Sequence, residues 1–384
     1  MLRTVLFIAI LSCISALQAQ TLIRGTVLDA ETNKPLPGTS VFVSNTRIGT
    51  VTASDGTYHL QLPQGKYEVI FSAVNFVTRV IPTNAVDSFT VVRMQPKVKE
   101  LDEVVIRKYD PDGWRKWGQF FLDNFIGVNQ FSEDCKLKNP KALRFYFDKK
   151  TNVMNATASE VLVIENKALG YILKYQMEDF TYDGRTKIVY YEGYPLFEEM
   201  KGSQRKEKRW AENRLEAYEG SQLHFMRALY RNRLIEEGFD VHHLKKVKSA
   251  EKERVRNVIR SGRRADSSLY YDRILSQPDE YDVMQAQVLT GDSVAYAVDS
   301  VTAGLTFPDY LDILYTKKEA HQKFMRLYPK ARPGRESQVT LLNIDHVEVQ
   351  ADGSFYPTRN VLLLGYWSWS EKISAMLPFE YKPK

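Results

Sequence analysis

Cysteine is almost missing from this 384-residue chain, which carries only Cys13 and Cys135. Cys13 falls in a segment expected to be removed, so Cys135 would be left alone and no intramolecular disulfide could form. The core must then carry the stability in any redox compartment. Histidine is nearly as scarce. The six are His59, His224, His242, His243, His321 and His346, and none has Glu three residues later. A catalytic zinc takes three protein ligands and keeps one position open, so the missing His-x-x-Glu pair argues against a zinc carboxypeptidase. No His-Glu-x-x-His, Gly-x-Ser-x-Gly, phosphate-binding glycine loop or Cys-x-x-Cys occurs either. No metal, cofactor or catalytic residue is assigned. Long apolar runs are also absent: beyond the first 20 residues nothing approaches the ~20 residues of a spanning helix. No transmembrane segment is expected after signal cleavage.

The beginning of the chain reads as a secretory signal over residues 1–19. Arg3 supplies the positive start, residues 5–11 a short apolar core, and Ser15-Ala16-Leu17-Gln18-Ala19 a small-residue exit with cleavage after Ala19. Ile10-Leu11-Ser12-Cys13 is a poor version of a lipoprotein acceptor. The protein is therefore expected outside the cytoplasm. Its length favours two domains, and its load of 22 Tyr and 19 Phe suits pleated surfaces.

Residues 20–96 read as an all-β sandwich of about seven strands. Thr26-Val27-Leu28-Asp29, Val41-Phe42-Val43, Tyr58-His59-Leu60-Gln61-Leu62 and Tyr67-Glu68-Val69-Ile70-Phe71 are short runs. Asp55-Gly56, Pro63-Gln64-Gly65 and similar turn signals close them. Alternate residues are apolar in Tyr58/Leu60/Leu62 and in Tyr67/Val69/Phe71, so each strand has one buried face. The succession Gly-x-Val-x-Asp, Pro-Leu-Pro-Gly, Val-x-Val, Gly-Thr-x-Thr, Asp-Gly-x-Tyr-x-Leu resembles the carboxypeptidase regulatory-like, transthyretin-like sandwich of Gram-negative envelope proteins. Leu101-Asp102-Glu103-Val104-Val105-Ile106 is similar to the piece that follows this module in TonB-dependent receptors. The helical stretch downstream departs from a receptor barrel. The resemblance thus implies an accessory module in the periplasm or at the outer membrane, not transport.

Residues 97–111 are polar and contain proline, which marks a linker. Residues 112–384 read as a mixed α+β domain, making the whole chain α+β. Trp114, Trp117, Phe120/Phe121 and Phe125 recur at helical spacing and predict a helix over 114–126 with one aromatic face. Strands are predicted over 143–147, 153–158, 160–164, 171–182 and 187–194, the last two joined at Asp183-Gly184. Further strands are predicted over 239–247, 268–275, 281–290, 295–300, 310–315, 338–350 and 360–365. Trp367 and Trp369 read either as a stacking platform or as packing.

Charge is concentrated in residues 201–264, with 18 Lys/Arg against nine Asp/Glu. Within it, residues 203–237 form a helical pattern that Gly220-Ser221 interrupts, with Ser221 as N-cap of the second helix and Gly238 as its C-terminal stop. His224, Arg227 and Arg231 share one face beside the apolar stripe. With Arg209 and Arg214 they are the candidate binding residues for an anionic group of an envelope protein, glycan or lipid head group. Nucleic acid is not expected as the partner of an exported protein. The leading function is a non-catalytic binding or assembly module. The alternative is a hydrolase pairing His224 with a strand carboxylate among Glu160, Glu165, Glu178, Asp179 and Glu192.

Overall fold

The computed structural model describes residues 21–63, 67–83, 89–97, 109–262 and 268–383. The expected signal over residues 1–19, with Cys13, and the 101–106 segment lie outside them. The fold is α+β and divides into two compact units, Met1–Ala217 with Lys372–Lys384, and Tyr218–Glu371.

The first unit begins with the expected seven strands: β1 Thr21–Asp29, β2 Ser40–Val43, β3 Gly49–Val51, β4 Thr57–Leu62, β5 Glu68–Ser72, β6 Arg79–Pro82 and β7 Val91–Met94. They form two sheets, ordered β4-β1-β7 and β3-β2-β5-β6. Alternation decides which side chains meet: Tyr58, Leu60 and Leu62 join Val27, Val41, Val69 and Phe71 in the core between the sheets.

The first unit extends well past residues 97–111. A helix α1 (Gly113–Phe125) is followed by β8 Cys135–Leu137, β9 Leu143–Asp148, β10 Val153–Ala158, β11 Leu162–Asn166, β12 Tyr171–Asp183 and β13 Ile188–Glu199. These strands make one sheet, ordered β8-β11-β12-β10-β9, with β13 also on β12. The aromatic face of α1 docks on this sheet. Phe121 lies 4.7 Å from Phe180, Phe125 5.0 Å from Tyr175, and Trp117 stacks on Phe147. The turn after β2 is bonded to β13, where Asn45 and Phe197 amides donate to the carbonyls of Pro195 and Thr46. The C-terminal tail joins the same unit because Asn166 donates to Ser374 O and the Phe379 amide to Asn45 O. Cys135 is free and buried, and burial pushes its thiol up to about 12.

Helix α2 (Gln204–Tyr218) leads to the second unit, which holds α3 Gln222–Tyr230, α4 Leu234–Glu237, β14 Phe239–Lys248, α5 Ala250–Arg260, α6 Ser268–Leu275, β15 Glu280–Met284, α7 Gly291–Val294, β16 Ala295–Asp299, β17 Thr302–Leu305, β18 Tyr310–Glu319, α8 Gln322–Leu327, β19 Gly334–Leu341, β20 Val347–Gln350, β21 Phe355–Tyr356, β22 Val361–Gly365 and α9 Tyr366–Ser370. Two antiparallel sheets result, β15-β14-β18-β19-β22 and β16-β17-β20-β21. Their shared core includes Phe225, Phe239, Ile313, Val339, Val349, Trp367 and Trp369. The two tryptophans are core residues, since they are 1% and 4% exposed. Residues 268–275, predicted as a strand, are helix α6. The predicted 338–350 strand is two strands separated by a turn. Among the described residues no helix is long and apolar enough to cross a membrane.

Candidate functional site

Helix α3 begins where predicted. The Ser221 hydroxyl accepts the His224 amide at 3.1 Å, satisfying one of the free N–H groups of the first turn. Gly220 precedes it with φ +76°, a conformation glycine adopts without strain, and a Cβ there would strike the Tyr315 ring. This close approach buries His224 between Tyr218, stacked at 4.7 Å, and Phe239 at 4.9 Å. Its Nδ1 accepts the Gly220 amide at 3.1 Å, so the ring proton sits on Nε2 and is donated to Glu237 Oε2 at 3.0 Å. Arg231 grips the same carboxylate through Nε and Nη2 at 2.8–3.2 Å. Arg227, also buried, donates from Nε to Asp352 O at 2.7 Å and lies over the Tyr218 ring.

The row His224, Arg227, Arg231 therefore faces inward for its first two members, correcting the expectation of an exposed basic face. The spacing is real, but neighbours from Glu237 and the Asp352 turn occupy it. Arg209 and Arg214 belong to the other unit. Arg209 pairs with Asp134 at 2.8 Å; Arg214 donates to Leu169 O at 2.7 Å and lies 3.9 Å from the Tyr171 ring centroid. The strand carboxylates are equally engaged: Glu160 with Asn139, Glu165 with Lys138, Glu178 with Thr78, Asp179 with Thr181 and Glu192 with Tyr190.

The His224–Glu237 pair has the composition of an acid–base couple, yet both ring nitrogens are committed and aromatic rings wall off its faces. Burial holds its pKa below the ordinary value, against the opposing pull of Glu237. A folded-state pKa lowered this way contributes stability that is present above the unfolded value of ~6.5 and lost as pH falls below it. His224→Gln should thus cost roughly 2 kcal/mol at pH 7.5. The difference from wild type should shrink toward pH 5, measured by urea unfolding at both values.

A second constellation was not foreseen. The five-stranded sheet turns Phe239, Val241, Leu311, Ile313 and Val339 into the core, so the alternate residues share the opposite face. Antiparallel register aligns His242, Asp312 and Gln338 in one row across β14, β18 and β19, with Lys246 facing Asp282. Gln338 Nε2 donates to Asp282 Oδ2 at 3.2 Å although β14 and β18 lie between their strands, so these side chains reach over the row. Asp312 is on one of the two strands the bridge spans and is 3% exposed. Its Oδ1 is buried with no hydrogen-bond partner among the described residues. Burial, and next the Glu336 charge, push its pKa up to about 6. The neighbouring cations are committed: Lys246 lies 3.2 Å from Asp282 and Arg332 2.9 Å from Glu336. The sequence signal was an Asp between Leu311 and Ile313 in an alternating strand. Nothing local distinguished it from a solvated residue.

Comparison with known proteins bears on the first sandwich. Residues 23–106 match the model of the CarboxypepD_reg-like domain. The chain is 33% identical over 109 residues to TonB-dependent receptor P3 of Formosa agariphila, an alignment covering 28% of this chain and 11% of the receptor. It is 30% identical over 96 residues to TonB-dependent receptor P39 of the same organism, covering 25% and 9%. The chain thus matches only about a tenth of each relative's length.

Proposed function

We propose that this chain is a non-catalytic binding or assembly protein of a Gram-negative cell envelope, exported behind residues 1–19. It works in the periplasm or at the outer membrane. Residues 20–96 are its positioning module, 97–111 a linker, and 112–384 the part that meets a partner. The observation that carries this reading is the match of residues 23–106 to a module shared with TonB-dependent receptors, which are outer-membrane proteins. A protein partner is favoured over an anionic glycan or lipid head group. His224, Arg209, Arg214, Arg227 and Arg231 all hold partners within the chain, whereas β15 leaves Tyr281, Val283 and Met284 exposed on a sheet edge. Such an edge is a ready template for another chain.

An alkaline phosphatase fusion to the full chain tests the location, because that enzyme matures only outside the cytoplasm. The fusion should be active in intact cells and silent when residues 1–19 are removed. Equal activity with and without them, or none in either, removes the basis of the reading.

A further inference from the structure

We propose that the groove formed by helix α8, the loop after it and the start of α9 binds a long-chain carboxylate, a free fatty acid, with its tail on the apolar wall and its head at Lys330. The inference concerns the second unit alone and rests neither on where the protein works nor on the β15 edge. The groove has a volume of about 610 Å³, within the range of roughly 300–1,000 Å³ usual for small-molecule sites. Its wall is Phe324, Leu327, Tyr328, Pro329 and Ala331, and the β22–α9 junction adds Gly365 and Ser368. The wall is preformed. Phe324 is 5% exposed and packs against Tyr366 at 5.1 Å and Trp369 at 5.5 Å. The Tyr328 amide donates to Phe324 O at 2.8 Å and the Ala331 amide to Tyr328 O at 2.9 Å, while Pro329 and Pro333 stiffen the loop. Leu327 and Tyr328 nevertheless stay 55% and 50% exposed. An apolar tail laid on them removes that surface from water.

The charge around the groove selects an anion. Between Ala320 and Gly334 the chain carries Lys323, Arg326, Lys330 and Arg332 and no Asp or Glu. Arg332 is spent on Glu336 at 2.9 Å. The side chains of Arg326 and Lys330 have neither an ion-pair nor a hydrogen-bond partner among the described residues. Lys330 itself lines the groove, and its stem can lie along the apolar wall while the ammonium stays at the rim. The Ser368 hydroxyl is already donated to Gly365 O at 2.8 Å, so the lining offers little besides that ammonium to a polar ligand. A sugar or a phosphate ester would need more donors than this wall presents. A single carboxylate on an alkyl chain needs one cation and a dry surface, and both are here.

The test is isothermal titration calorimetry of the purified full chain with sodium octanoate, decanoate and dodecanoate, each below its micellar concentration. Every two added methylenes should lower Kd at least about threefold, with a negative heat-capacity change. Decyltrimethylammonium, which puts the opposite charge on the same tail, should bind at least about fivefold more weakly than decanoate. Lys330→Glu should weaken dodecanoate about fivefold, an effect that shrinks in roughly 1 M salt. Leu327→Glu places a carboxylate on the wall and should abolish binding. Leu327 is 55% exposed, so the melting temperature of that variant should stay within about 2 °C of wild type. Ile235→Glu, at a site 54% exposed and outside the lining, should bind as wild type does. Phosphatidylglycerol vesicles separate the sources, because they hold an anionic head and acyl chains in a bilayer. Capture by vesicles that Leu327→Glu abolishes, without binding of free dodecanoate, would make the groove a membrane contact and overturn the proposal. It also falls if affinity does not rise with chain length, if decyltrimethylammonium binds as well as decanoate, or if Leu327→Glu or Lys330→Glu binds as wild type does.

Discussion

Val69→Asp will unfold the N-terminal sandwich. Val69 is fully buried in β5, paired with Val43 of β2 on one side and Ile81 of β6 on the other. Its side chain belongs to the apolar core between the two sheets. An unpaired carboxylate there costs several kcal/mol, a large part of the 5–15 kcal/mol that holds a typical domain together. The damage will spread, because the turn after β2 exchanges backbone hydrogen bonds with β13. Limited proteolysis of the full chain should show cleavage within residues 21–97 and then in the sheet beside them. Val91→Asp is the control: Val91 is 39% exposed, and its replacement should change stability by no more than ~0.5 kcal/mol. Resistance of the Val69→Asp protein to protease would mean that these two sheets do not enclose a common core.

Trp367→Ala should be as damaging in the second unit. The indole is 1% exposed, meets Phe225 edge-on at 5.5 Å, and donates to Gly220 O at 2.7 Å. Losing the ring from a packed core costs about 3–5 kcal/mol, and the abandoned Gly220 carbonyl adds about 1–3 kcal/mol. Each kcal/mol is worth roughly 2–4 °C in a unit of this size. Calorimetry should therefore find the unfolding of the second unit at least ~8 °C lower. A surface platform for stacking would behave otherwise, with truncation leaving the melting point nearly unchanged.

The sandwich was legible because its signals are local. Alternation between Tyr58 and Leu62 and the Asp55-Gly56 turn each need only a few residues to be read. Ser221 and Gly238 were legible for the same reason, and both cap their helices as expected. Residues 268–275 misled because adjacent Tyr270 and Tyr271 satisfy strand alternation as well as helical spacing. Helix α6 is settled instead by contact with α5, where Tyr270 bonds Glu251 and Ile274 is buried. The basic row on α3 was found by periodicity, but periodicity does not say what lies opposite. Glu237 and Asp352 supply that answer from elsewhere in the chain. The buried polar row at Asp312 was the least visible feature. It exists only when residues 242, 312 and 338 come into register, and no window along the sequence holds all three.

Export to the envelope can be read from the N-terminal sequence of the native protein after cell fractionation. An exported chain should be recovered from the periplasmic or outer-membrane fraction and begin near Gln20. Recovery of a chain with Met1 intact from the cytoplasm would contradict it.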